Sequence, residues 1–206
     1  MLINIHPDNP QEKHIQTVVD CLKSGGIIIY PTDTVYAFGC DIMNKNAVEK
    51  ICQLRNMKPE KANFSFVCHD LSQLSKYSNH IDNATFRLMK KALPGPFTFI
   101  LEASNEVPKI FKMKKKTIGI RVPNNNICSE ITAKLGNPIM SASLKAEDEI
   151  LEYLTDPELI HEKYEKLVKI VISGGYGNNE PSTVVDCSQG GAEIIREGIG
   201  DIHQFM

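Results

Sequence analysis

No C-x-x-C pair occurs among the six cysteines, at 21, 40, 52, 68, 128 and 187, and no nearby histidine completes a zinc pattern. Most of them sit inside apolar runs such as FVC and AVEKIC, which reads as reduced, buried thiols in a cytoplasmic protein. Charge of one sign is also missing. The formal net charge is -2, so no global field draws the chain to nucleic acid or to a membrane, and such binding would need a local patch. Apolar runs fall far short of the ~20 residues that cross a bilayer, and MLINIHPDNP lacks the basic and apolar regions of a signal peptide, so no membrane association is expected. Neither G-x-x-x-x-G-K-[ST] nor a post-strand G-x-G-x-x-G occurs, so a bound nucleotide would not be held by a P-loop or a Rossmann turn. No Ser/His/Asp set is visible, and the scattered histidines fit surface positions better than a metal site. Linkers, repeats and low-complexity segments are absent, and one domain over residues 1–206 is expected.

What is present is ordinary globular material: 206 residues, 42% hydrophobic and 23% charged. Ile15, Val18, Val19 and Leu22 mark a helix over 11–24, with Gly25 placed to end it. Residues 26–30 read as a buried strand and 45–55 as a second helix, ended by Pro59. NFSFVC is a strand. Asp70 and Asp82 suit N-caps for the helices LSQLSKY and NATFRLMKKAL. After a turn at 94–96, FTFILEA, TIGIRVP, PIMSAS and KIVISGG read as strands. A loop or short helix at 104–116, a helix at 124–135 closed by Gly136, and a polar helical stretch at 145–167 lie between them. STVVDCS and AEIIREG form a closing hairpin. This alternation predicts an α/β domain with a twisted, mixed parallel and antiparallel sheet and flanking helices. Ligands in such folds sit beyond strand ends.

The stretch GGIIIYPTDTVYAFGCD, residues 25–41, puts Thr32, Asp33, Thr34 and Tyr36 directly after a buried strand. Alone, these residues read equally well as turn formers. Four further clusters are the basic trio Arg55, Lys58 and Lys61; Arg121; Ser141, Ser143 and Lys145 of SASLK; and Ser182, Thr183, Asp186 and Arg196 of PSTVVD and IIREG. Each also reads as a cap, a solvated helix end or a surface side chain. Four of the five lie at or beside a predicted strand terminus. Together they offer the cations and hydroxyls that a polyphosphate site needs.

GGIIIYPTDTVYAFGCD, TIGIRVP, MSAS and PSTVVD…IIREG, in this order from about residue 15 to 200, closely resemble the YrdC/YciO-type threonylcarbamoyl-AMP synthase family. Ala37 in place of the usual glycine, NFSFVCHDLSQLSKYS and TFRLMKK resemble the YciO branch. The resemblance implies a twisted α/β sheet around a positively charged cavity. It also implies a nucleotidyltransferase that converts ATP, L-threonine and bicarbonate into threonylcarbamoyl-AMP and pyrophosphate for tRNA modification. Members also bind double-stranded RNA or tRNA. Carried over by motif, Thr34, Tyr36, Arg121, Ser141 and Ser182 would meet threonine. Arg55, Lys58, Lys61, Ser143, Lys145 and Arg196 would meet ATP, with Lys58 and Arg121 closest to the chemistry. Mg2+ would arrive with ATP, and no metal site of the protein's own is expected. Three positions depart from the family. RNMKPEKANF replaces the usual Lys-x-Arg-x-x-x-Lys motif, Lys145 stands for an asparagine, and Cys68 stands for a strand-end histidine. These departures motivate an alternative, a divergent YrdC-like protein that binds RNA or a nucleotide.

Overall fold

Two faces of one sheet are covered unequally, and the apolar pattern of the chain dictates how. The computed structural model describes residues 1–57, 64–112, 116–144 and 155–205. Its strands are β1 (Leu2–Asn4), β2 (Ile28–Tyr30), β3 (Ala37–Asp41), β4 (Ser65–Val67), β5 (Phe97–Glu102), β6 (Thr117–Arg121), β7 (Ile139–Ser143), β8 (Ile170–Ser173), β9 (Thr183–Asp186) and β10 (Glu193–Arg196). Its α-helices are α1 (Glu12–Lys23), α2 (Lys45–Leu54), α3 (Leu71–Tyr77), α4 (Asn83–Ala92), α5 (Lys109–Lys112), α6 (Asn126–Leu135) and α7 (Pro157–Tyr164). The strands form one mixed sheet in the order β1-β8-β2-β3-β7-β4-β6-β5-β9-β10. The α/β architecture read from the alternating pattern is therefore the architecture observed.

One face is buried along most of its length. Ile29, Phe38, Phe66, Phe99, Ile120, Met140 and Val185 project from it into a core with residues of α2, α3, α4 and α7. The other face is covered over half its width. There Ile28, Tyr30, Ile139, Ile170 and Ile172 pack beneath α1 and α6, through Ile15, Val18, Val19, Leu22, Ile127 and Ile131. The remaining half of that face carries alternate small or hydroxyl-bearing residues. This is the reading of TIGIR, in which Ile118 and Ile120 are buried in the core while Thr117, Gly119 and Arg121 face the open side.

Helix ends follow the capping residues. Asp70 accepts from the Gln73 N–H and Asp82 from the Ala84 and Thr85 N–H groups, as the sequence predicts. Asn44 and Asn125 cap α2 and α6 in the same way. Gly136 closes α6 in the left-handed region at φ 87. The closing hairpin is present as antiparallel β9 and β10.

The structure refines the sequence reading in three respects. β1 and β3 are not among the expected strands: β1 has three residues, and β3 follows directly on the hydroxyl cluster Thr32–Tyr36 in a stretch given no element. β3 nonetheless pairs antiparallel with both β2 and β7, so the sheet reverses direction at its centre. The polar stretch at 145–167 contains α7 from Pro157, while its residues 145–154 lie outside the described residues. Third, the cavity spreads over the open half of a sheet face: Thr34, Arg121, Ser143, Ser182 and Arg196 sit at or beside strand termini as expected, while Ser141, Ser65 and Gly119, paired side by side within strands, supply floor between them.

Candidate functional site

The open half-face forms a cavity of about 490 Å3. Its floor is a row of alternating positions: Ser141 and Ser143 of β7, Ser65 of β4, Thr117, Gly119 and Arg121 of β6, and Thr98 and Ile100 of β5. Ser182 and Val184 continue the row, and Arg196 and Ile195 close it. Register sets the row, since Ser65 lies between Ser141 and Gly119, and Ile100 lies beside Gly119. Phe64 and Phe111, edge to face at 6.3 Å, form an apolar wall.

At one end Arg121, only 6% exposed, donates from Nη2 to Asp33 Oδ1 at 2.7 Å and to Thr34 Oγ1 at 3.1 Å. Asp33 Oδ2 accepts from the Asn124 N–H at 2.9 Å. The Thr32 hydroxyl donates to the Val35 carbonyl at 2.8 Å, which leaves Thr34 to donate across the 3.1 Å contact between their hydroxyls. Thr32 is thus the turn former. Asp33 is more than that, because it carries a buried ion pair across the sheet.

In the middle, the Tyr30 hydroxyl donates to Ser141 Oγ at 2.9 Å. Burial pushes the Tyr30 phenol far up, so it stays protonated and acts as the donor. The Ser141 proton is thereby left for another acceptor. Gly39 makes this possible: a Cβ there would stand 2.8 Å from the Tyr30 ring.

At the far end Ser182 Oγ lies 2.8 Å from Thr98 Oγ1, and Arg196 Nη2 donates to the Ser182 carbonyl at 2.7 Å. Partial burial of its guanidinium lowers the Arg196 pKa, and the nearby positive charge of Arg121 adds to that. Arg196 has no carboxylate partner among the described residues. An uncompensated guanidinium at one end and a carboxylate-paired one at the other give the cavity strong donors for anionic groups.

Of the residues singled out from the sequence, Thr34, Arg121, Ser141, Ser143, Ser182 and Arg196 all line this cavity. Tyr36 does not. Its ring is fully buried and its hydroxyl donates to the Gly175 carbonyl at 2.7 Å, with burial pushing its pKa up to about 12. Strand alternation turns it away from its neighbour Ala37, which does line the cavity. The structure thus places Tyr36 outside the cavity lining, where its hydroxyl anchors the segment that follows β8. Arg55 is not a lining residue either; its guanidinium donates to the Ser143 carbonyl, joining the end of α2 to the end of β7. Lys58, Lys61 and Lys145 lie outside the described residues, as do residues 113–115 of KMKKK. Sequence reasoning missed Ser65, Thr98 and Gly119 as floor residues and Tyr30 as the partner of Ser141. The signal for the first three was the period-two alternation of small with large residues in FSFV, FTFIL and TIGIR.

Thiol chemistry is not favoured at these cysteines. Burial pushes Cys40, Cys68 and Cys128 far up, and Cys52 and Cys187 to about 11, so they are protonated at neutral pH. Among the described residues, no three His, Cys, Asp or Glu side chains converge to hold a metal, and no helix is long and apolar enough to cross a membrane.

The family profile Sua5_yciO_yrdC, described as "Telomere recombination", matches residues 20–198. The chain belongs to the Sua5/YciO/YrdC family. Within that family it is 46% identical over 204 residues to the uncharacterized protein YciO of Escherichia coli K12, covering 98% of this chain and 97% of the relative. The crystal structure of E. coli YciO superposes with a TM-score of 0.90 over 100% of this chain and 99% of the other, at 45% identity. The YciO-like features of the sequence thus correspond to overall similarity. A threonylcarbamoyl-AMP synthase of Coxiella burnetii is 28% identical over 183 residues, which cover 88% of this chain and 96% of that one. Sua5 of P. abyssi, solved in complex with L-threonine, shares the Sua5/YciO/YrdC fold with a TM-score of 0.83 at 22% identity, over 96% of this chain and 57% of that one.

Proposed function

We propose that the cavity is the site of an ATP-dependent L-threonylcarbamoyladenylate synthase, a nucleotidyltransferase acting in tRNA threonylcarbamoyladenosine modification. The observation that carries the reading is the arrangement of one cavity face. A buried Arg121–Thr34 pair stands at one end, Arg196 with Ser182 at the other, and a fixed Ser141 between them. Kinship with the synthase of C. burnetii supports the same reading.

In this reading the amine of threonine and bicarbonate give a carbamate and water. A carbamate oxygen then attacks the α-phosphorus of ATP, the P–O bond to the β-phosphate breaks, and pyrophosphate leaves. The reaction needs positioning and charge neutralisation more than a covalent nucleophile. Arg121 binds the threonine carboxylate, and Thr34, with its own proton directed to Thr32, accepts from the ligand. Ser141, its proton freed by Tyr30, donates to the anionic junction where carbamate and α-phosphate meet. Arg196 and Ser143 meet the nucleotide, joined by Lys58, Lys61 and Lys145. Asp33, a carboxylate beside the cavity, has both oxygens engaged by Arg121 and the Asn124 N–H. In this reading magnesium would arrive on the phosphates of ATP and neutralise the charge of the leaving pyrophosphate.

ATP–pyrophosphate exchange, measured with and without threonine and bicarbonate, tests the reading. Exchange that requires both co-substrates is expected, and its absence from folded protein would overturn it.

A second reading, a divergent YrdC-like protein that binds double-stranded RNA, tRNA or a nucleotide, is favoured by the altered basic motif RNMKPEKANF, by Lys145 in place of an asparagine and by the basic KMKKK run. RNA held through phosphates should lose affinity steeply between low and high salt. A salt-independent affinity would count against it.

A further inference from the structure

The two guanidiniums of the cavity differ in one respect that the family resemblance does not address: one is neutralised and the other is not. Arg121 and Asp33 are both 8% exposed by side chain and lie 2.7 Å apart. Arg196 has only the Ser182 carbonyl and hydroxyl as partners among the described residues. A buried carboxylate in contact with a guanidinium cancels most of its field at ligand distance, whereas an uncompensated guanidinium keeps a full charge. Among the described residues the cavity is thus polarised, with a net-neutral end at Arg121 and a cationic end at Arg196.

The hydrogen bonds of Arg121 sharpen this picture. Both Nη2 protons are spent, on Asp33 and Thr34. Nε is buried with no partner, and Nη1 has none among the described residues and is not sealed off. A ligand therefore meets a guanidinium that still donates strongly through Nη1 but carries little net charge.

We propose that Asp33 determines the ligand class at the Arg121 end. With its charge in place, that end takes a net-neutral zwitterion, an amino acid, whose carboxylate needs a donor and whose ammonium would be repelled by a bare cation. A phosphate dianion is refused there and is directed to the Arg196 end. Asp33 touches no ligand; it is a positioning and selecting residue acting through Arg121. The inference rests on the amino-acid and nucleotide reading of the cavity, and it explains how two similar arginines are kept from exchanging ligands.

The test is an NMR titration of the full chain with inorganic phosphate, following the Arg121 Nε–H resonance, assigned by its loss in Arg121→Lys. Burial slows exchange of that proton and makes it a usable probe. In the wild-type protein, phosphate should leave the resonance unmoved, and a saturable shift would overturn the proposal without recourse to any Asp33 variant. In Asp33→Asn, whose amide oxygen can still accept from Nη2, phosphate should shift the resonance, and an unmoved resonance in folded variant would overturn it. Asp33→Glu should restore exclusion of phosphate, which a purely steric role for Asp33 would not require. Calorimetry with L-threonine forms the second arm, in which Asp33→Asn should bind about 10-fold more weakly than wild type, a factor worth roughly 1.4 kcal/mol. Failure of the wild type to bind threonine would sink the amino-acid reading of the cavity, while the phosphate titration would still decide the role of Asp33.

Discussion

At the scale of single residues, the site is built on buried polar groups whose partners come from distant parts of the chain. Removing one member of the Arg121–Asp33 pair strands the other's charge in a site that is 8% exposed. Arg121→Ala should therefore lose about 3–5 kcal/mol in urea denaturation, well beyond an ordinary surface change. Arg121→Lys, which keeps the charge but not the fork that reaches Asp33 and Thr34 together, should fall between. Some of this was legible in the sequence. Thr34, Arg121, Ser141, Ser143, Ser182 and Arg196 were singled out, and all line the cavity. Asp33 was read as a turn former because an aspartate after Pro-Thr looks the same whether it caps a turn or crosses a sheet. Its partner is 88 residues away, and no local pattern encodes that distance. Tyr36 sits in the same cluster of hydroxyls, but its ring packs in the core and not on the cavity lining.

At the scale of elements, helices were the most legible, since caps and apolar spacing are local. Asp82 illustrates how such a cap responds to pH. The Thr85 N–H first, then the Thr85 hydroxyl and the Ala84 N–H, hold its carboxyl below the usual range. A depressed folded-state pKa means that the cap stabilises α4 above the unfolded value of about 4 and is lost as pH falls through the lower folded value. Thermal unfolding followed from neutral to acid pH should show a shallower acid decline in Asp82→Asn than in wild type. Strands were less legible. β3 has no clear signal in the sequence because its stability comes from pairing on both sides and from Gly39, not from local propensity. Two glycines of the sheet make a matched experiment. At Gly39 an added Cβ would stand 2.8 Å from the Tyr30 ring and 2.9 Å from Ile139, so Gly39→Ala should cost about 1–3 kcal/mol. At Gly119 the nearest atom is a Thr98 methyl at 3.2 Å, so Gly119→Ala should unfold at or near the wild-type temperature. It should nonetheless bind nucleotide more weakly, because the added methyl raises the cavity floor.

At the scale of the whole molecule, fold class was legible because it follows from alternation of helical and strand periods, but the position of the site was legible only in part. The rule that ligands lie beyond strand ends locates Thr34, Arg121, Ser143, Ser182 and Arg196 but not the floor between them. The chain covers half of one sheet face with α1 and α6 and leaves the rest to small and hydroxyl residues, a choice visible only once the strand order is known. That half-covered sheet has a consequence for exchange of backbone amides with heavy water. β4, β6 and β7 carry the wet floor of the cavity, yet each is flanked by a strand on both sides. Their ladder amides are bonded within the sheet plane, which a wet face does not open. Deuterium should enter first at the outermost strands β1 and β10. The floor strands should exchange as slowly as the dry centre of the sheet, so that the surface a substrate meets is among the last parts of the protein to open.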